Sequence, residues 1–265
     1  MLHSARHIQH YQWGDIPVLG VTAPNKSPFT AEGTVTHIIG QKELAVIDPG
    51  PLNDEHLHNL LNIIDGRIVK AILISHTHLD HSPLGAKLSA LTNAPIMGCM
   101  PYQAMVHPHK EQGLDASHDK DYAPHQILQD GAIIESREWG LEAITTPGHA
   151  ANHMCFALKG EGVLFSGDHV MGWSTSIIAP PDGNMRDYIN SLEKLLQREE
   201  DIYLPAHGDA LLNKAKGYTR ALKGHRLMRE NMILDMMNEA TSKDIISLEA
   251  LLKKIYGDIK HIFLV

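Results

Sequence analysis

The chain has 265 residues, 43% of them apolar, and a formal net charge of −8. That length supports one well-cored domain with a small appendage, and no apolar run approaches the roughly 20 residues of a membrane span. The acidic balance argues against nonspecific attraction to nucleic acid. Cys99 and Cys155 are the two cysteines; they stand in unrelated contexts and read as free, buried thiols of a reducing compartment. Residues 1–15 are charged and polar with no apolar core for export, so the expected location is cytoplasmic.

In chain order, the apolar run Leu44-Ala45-Val46-Ile47 reads as a strand stopped by Asp48-Pro49-Gly50, and a helix is expected over 54–64. Residues 69–74, Val-Lys-Ala-Ile-Leu-Ile, read as a buried strand that runs directly into His76-Thr77-His78-Leu79-Asp80-His81. This run packs four potential metal ligands into six residues. Histidine nitrogen and carboxylate oxygen are the ligands of catalytic zinc, and a strand end holds them rigidly while the loop lets them converge. From an extended segment His76 and His78 point the same way, while Asp80 and His81 fall where a helix could begin and turn to the other side, so one segment serves two metals.

A second helix is expected over 83–91, followed by a polar stretch from 107 to 129 that carries His107, His109, His118 and His125 without a clear period. It reads as a flexible loop near the site. Three further strand patterns end in ligand chemistry: His149 after Thr146-Pro147-Gly148, Asp168 after Phe165-Ser166-Gly167, and His207 after Leu204-Pro205-Ala206. Asp48 is placed as an acceptor that fixes the orientation of a ligand histidine. His153 opens another strand-like run, and residues 173–186 are expected at the pocket mouth, with Arg186 or Tyr188 as candidate substrate contacts. Helices are expected over 185–197 and 209–239, and a last one over 247–256. Lys214, Lys216, Arg220, Lys223, Arg226 and Arg229 make the fourth helix locally basic and read as a solvated face.

The order HxHxDH, TPGH, GD and PAHG is similar to that of the metallo-β-lactamase fold hydrolases, from about Thr34 to His207. The resemblance implies an α/β fold, a four-layer αββα sandwich of two mixed sheets with helices outside, over residues 1–212, and a short helical appendage over 213–265. It implies two zinc ions, with iron or manganese as the other metals to consider. His76, His78 and His149 would hold one, Asp80, His81 and His207 the other, and Asp168 would bridge them. A hydroxide shared by the metals would be the nucleophile, with Asp80 and Asp168 orienting it. The true lactamases of this family lack an aspartate at the position matching Asp168, which points to hydrolysis of an ester, thioester or phosphodiester instead.

Residues 225–234 resemble the start of the winged-helix tail of the lactamase-like endoribonucleases, a subgroup for which single-stranded RNA is a candidate partner. A glyoxalase II-like thioesterase is the alternative, with the basic helix serving the carboxylates of glutathione, and an iron-loaded redox enzyme is another. A homodimer is a candidate assembly. A thiolate, with a pKa near 8.5, leaves without a proton, whereas an alkoxide benefits from a general acid. His153 is the nearest donor candidate, ahead of His37 and His169, unless it serves as a hydrogen-bonding support at a strand start.

Overall fold

A computed structural model describes residues 8–103 and 118–239, together with Ser247, Glu249, Leu252 and Lys253. The chain divides into two compact units, residues 1–215 and 216–265. The first holds a seven-stranded sheet, β1 (Ile8–Trp13), β2 (Ile16–Thr22), β3 (Val35–Ile39), β4 (Glu43–Ile47), β5 (Ile68–Ile74), β6 (Ile96–Gly98) and β7 (Gln126–Ile127), in that spatial order. The strands pair antiparallel from β1 to β4 and parallel from β4 to β7. A five-stranded sheet, β8 (Ile133–Glu135), β9 (Gly140–Thr145), β10 (Met154–Leu158), β11 (Val163–Gly167) and β12 (Ile202–Pro205), has the order β12-β11-β10-β9-β8. It too is mixed, with β11 and β12 parallel and the other pairs antiparallel.

Both sheets face one core. Ile38, Val46 and Ile72 of the first cluster with Phe156, Phe165 and Leu204 of the second, all buried. β3, β4, β10 and β11 are buried on both faces, which is why β4, β10 and β11 read as near-continuous apolar runs and not as alternations, while β3 carries Thr36 and His37 in the same buried setting. Helix α1 (Asp54–Ile64) starts at Asn53, whose side chain accepts the His56 N–H, and ends at Asp65 in a left-handed conformation. It buries Leu57, Leu60 and Ile64, each contributing about 1.5–3 kcal/mol when fully covered. Helices α2 (Leu84–Thr92) and α3 (Met185–Leu196) complete the unit, and α3 buries Tyr188, Leu192 and Leu195 at helical spacing.

The second unit carries α4 (Ala215–Glu239). It starts six residues later than the pattern predicts. Leu211 pairs with Tyr203 in an isolated bridge and Asn213 is left-handed (φ 54°), so both are withheld from the helix. Most of the last expected helix, over 247–256, lies outside the described residues, as do His107 and His109.

This topology places the site. β4 and β5 are parallel with Ile47 beside Leu73, so Asp48 and Ser75 leave the first sheet at one level. β9, β11 and β12 run in one direction in the second sheet, so their carboxyl ends gather at one edge. Backbone bonds join the two edges: Met154 N–H donates to Ser75 O (2.9 Å) and Val35 N–H to Ala206 O (2.8 Å).

Candidate metal centre

Five strand ends deliver side chains to this edge. His76, His78, Asp80 and His81 follow β5, His149 follows β9, Asp168 follows β11 and His207 follows β12, while Asp48 comes from the end of β4. Two glycines make the approach feasible. Gly148 has φ +143°, and a Cβ there would stand 2.4 Å from the Tyr188 Cα. Gly167 has φ +53°, and a Cβ would stand 2.6 Å from His153 Nε2.

The donors fall into two adjoining groups, each with its atoms within 4.8 Å of one another: His76, His78, His149 and Asp168, and Asp80, His81 and His207. In the first, His78 Nδ1 lies 2.9 Å from His76 Nε2 and 3.1 Å from His149 Nε2, and Asp168 Oδ2 is 3.5 Å from His149 Nε2. In the second, Asp80 Oδ2 is 3.4 Å from His81 Nε2 and 3.2 Å from His207 Nε2. The other oxygen of Asp168, Oδ1, is 3.5 Å from His81 Nε2 and 3.3 Å from His207 Nε2. Asp168 therefore presents one oxygen to each group.

The surrounding hydrogen bonds fix which nitrogen each ring presents. His149 Nδ1 faces the Ile177 carbonyl (2.6 Å) and His207 Nδ1 the Gly33 carbonyl (3.4 Å), and a carbonyl only accepts. His81 Nδ1 faces Asp48 Oδ2 (3.0 Å). The Ser75 hydroxyl donates to Asp48 Oδ2 (2.6 Å), so at 2.9 Å it accepts from His76 Nδ1. In all four rings Nδ1 carries the proton and Nε2 is left toward the cluster, the arrangement of metal-binding histidines. His81 Nε2 and Asp168 Oδ1 are buried with no hydrogen-bond partner among the described residues. The residues present thus fit two metal ions.

Burial opposes charge on His81 and His207, but Asp80 and Asp168 overcome it, raising His81 well above the usual range and His207 to about 9. Burial would raise both carboxyls, yet His81 and His207 hold them well below it. In the first group, burial and the neighbouring imidazoles keep His76 and His78 neutral.

His153 is buried with both ring nitrogens engaged: Nδ1 lies 2.9 Å from Thr146 Oγ1, and Nε2 accepts the Asp168 N–H at 3.2 Å. Tyr188 is fully buried and donates its hydroxyl to His169 O, so it does not meet substrate as expected; its place in the apolar stripe of α3 decides this. His118, expected in a flexible loop, is buried and forms a backbone bridge with His78. Sequence reasoning missed Ser75, which supports both Asp48 and His76, although its position between strand and motif was a usable signal.

A family model described as the Metallo-beta-lactamase superfamily matches residues 30–207. The chain belongs to that superfamily. Among curated relatives of this metallo-β-lactamase fold hydrolase, it is 27% identical over 250 residues to an atrochrysone carboxyl ACP thioesterase of Aspergillus chevalieri, covering 91% of this chain and 74% of that one. It is also 27% identical over 252 residues to a beta-lactamase-like protein 2 homolog of Caenorhabditis elegans, covering 91% and 79%. Among solved structures, a metallo-beta-lactamase family protein from Thermus thermophilus superimposes with a TM-score of 0.68 at 19% identity, over 91% of this chain and 87% of that one. Cys99 and Cys155 are free and buried, and no helix of the described residues is long and apolar enough to cross a membrane.

Proposed function

We propose that this metallo-β-lactamase superfamily hydrolase cleaves a thioester at a dinuclear zinc centre, with His76, His78 and His149 holding one ion, Asp80, His81 and His207 the other, and Asp168 between them. Imidazole and carboxylate donors suit zinc. When bound, the two ions supply hydroxide from water at neutral pH and positive charge opposite the scissile carbonyl oxygen. Asp80 and Asp168 orient the attacking water by accepting its hydrogen bond. Asp48 and Ser75 hold His81 and His76 in the required tautomer. His153 holds the Asp168 backbone and does not donate a proton to the leaving group.

The engagement of both His153 nitrogens carries the choice of thioester. A thiolate of pKa near 8.5 departs unprotonated, whereas the alkoxide released from a phosphodiester or alkyl ester draws on an acid that His153 does not provide. The thioesterase named among the relatives supports the same class. A pocket of about 250 Å³, walled by Met100, Leu128, Pro147 and Met154 and edged by His153 and Asp182, suits an apolar acyl group.

The endoribonuclease-like reading asks for that acid. The glyoxalase II-like reading asks for cations around the carboxylates of glutathione. The test compares hydrolysis of an S-acyl pantetheine, S-lactoylglutathione and bis-p-nitrophenyl phosphate by the zinc-loaded protein. The acyl pantetheine is expected to turn over with the highest kcat/KM. Preferential cleavage of the phosphodiester would overturn the reading.

A further inference from the structure

His118 and Asp182 belong to neither His/Asp group of the centre, yet both are buried and each has a donor atom within 4.8 Å of His78 and of the other. His118 Nε2 lies 3.5 Å from Asp182 Oδ2, and His118 Nδ1 lies 3.0 Å from Thr77 Oγ1. Its ring stacks on Tyr102 at 3.8 Å and 9° and sits 4.7 Å from the His78 ring. Asp182 Oδ2 also accepts the Ala151 N–H at 3.2 Å. The Thr77 hydroxyl receives a second contact, 2.9 Å from Asn152 Nδ2, whose other bond goes to Met100 O.

The three nitrogens of the first group come from segments that leave opposite sheets, His76 and His78 after β5 and His149 after β9. One carboxylate oxygen reaches both segments. Asp182 Oδ2 accepts the backbone N–H two residues beyond His149, and it packs 3.5 Å from His118 Nε2, a contact at ion-pair and not hydrogen-bond distance, while the other ring nitrogen of His118 lies 3.0 Å from the hydroxyl of Thr77, which stands between the two histidines of the other segment. A shift of either segment separates the nitrogens of His78 and His149, now 3.1 Å apart.

We propose that Asp182 and His118 are positioning residues that brace the two segments of the first metal site and set its affinity. This rests on the dinuclear reading above. Such supports, touching the ligand segments and not the metal, typically hold metal affinity within its native range, and their loss costs about 10- to 100-fold. The brace predicts an asymmetric effect, because Asp80, His81 and His207 share none of these contacts.

The test is a zinc titration of the full chain in competition with a chromophoric chelator, beside thermal melting of the metal-free protein. Asp182→Ala is expected to weaken one of the two zinc ions about 10- to 100-fold and leave the other unchanged. Asp182→Asn, whose carbonyl oxygen can take both contacts of Oδ2, is expected to recover most of that loss. Thr77→Val, which keeps the shape and removes the hydroxyl, is expected to weaken the same ion and guards against misfolding of the alanine variant. Wild-type affinity for both ions in Asp182→Ala overturns the brace. So does equal weakening of both ions together with lower melting of the metal-free protein, which marks a general structural role. A third zinc bound by wild type and lost in Asp182→Ala would make the pair ligands and overturn it as well. Fewer than two zinc ions on wild type, by contrast, would overturn the dinuclear centre itself.

Discussion

Asp48→Asn isolates the tautomer argument. Asp48 is left-handed (φ 49°), a conformation that asparagine tolerates, so the backbone is preserved. Its Oδ1 accepts the Ser75 N–H at 2.8 Å, while Oδ2 accepts from the Ser75 hydroxyl (2.6 Å) and His81 Nδ1 (3.0 Å). In the variant the amide oxygen stays on the Ser75 N–H, since the alternative sets two donors against each other. The amide NH2 then faces His81 Nδ1 and favours the tautomer with its proton on Nε2, the atom that a metal in the second group needs. The substitution itself forfeits the charge-assisted bond from His81 Nδ1–H to the carboxylate, worth about 1.5–3 kcal/mol to the metal-binding tautomer, which corresponds to roughly 10- to 100-fold in affinity. The assay is chelator-competition titration with zinc, with circular dichroism as the folding control. A change of less than about threefold, small beside the 10- to 100-fold effect of such supports, would refute the reasoning.

Three further outcomes are expected. Gly148→Ala should destabilise the protein by about 2 kcal/mol or more in urea denaturation, because the new Cβ meets Tyr188 backbone at 2.4 Å in a φ of +143°. His153→Ala should leave the buried Asp168 amide unpaired, at about 1–3 kcal/mol of stability, and should slow model thioester and phosphodiester substrates by the same factor; a selective loss on the phosphodiester would restore it as an acid. Burial lowers His37 and His56 to about 4 in the folded chain. The unfolded chain binds these protons first, near pH 6.5, so stability should fall as pH drops from about 6.5 toward 4, by about 1.4 kcal/mol per histidine at pH 5.5. Chemical denaturation of metal-free protein across that range checks it, and a flat profile would contradict it.

The His and Asp residues that the fold gathers were legible because they follow closely on apolar runs, so a reading of strand ends also found the candidate cluster. β4, β5, β9, β11 and β12 lie where the apolar pattern placed them, and α1 runs from Asp54 to Ile64. The hairpin of β1 and β2 was not seen, since β1 alternates exposed and half-buried residues and carries little apolar signal. His118 and Asp182 were also hidden. Thr77 and His118 are 41 residues apart, and Asp182 lies in a Pro-Pro-Asp-Gly turn whose local chemistry accounts for the aspartate without its distant partners. Tertiary pairing of this kind leaves no periodic trace. The start of α4 failed for a similar reason, because the bridge between Tyr203 and Leu211 overrides helical spacing.

The most direct test of the central claim is metal stoichiometry by plasma mass spectrometry on protein purified without chelator or affinity nickel, for wild type and Asp168→Ala. Two zinc ions per chain in wild type, no more than one in the variant, and loss of thioester hydrolysis with the second ion are the predicted result. A single metal in an active wild-type enzyme, or full activity of the variant with one ion, would contradict the dinuclear account.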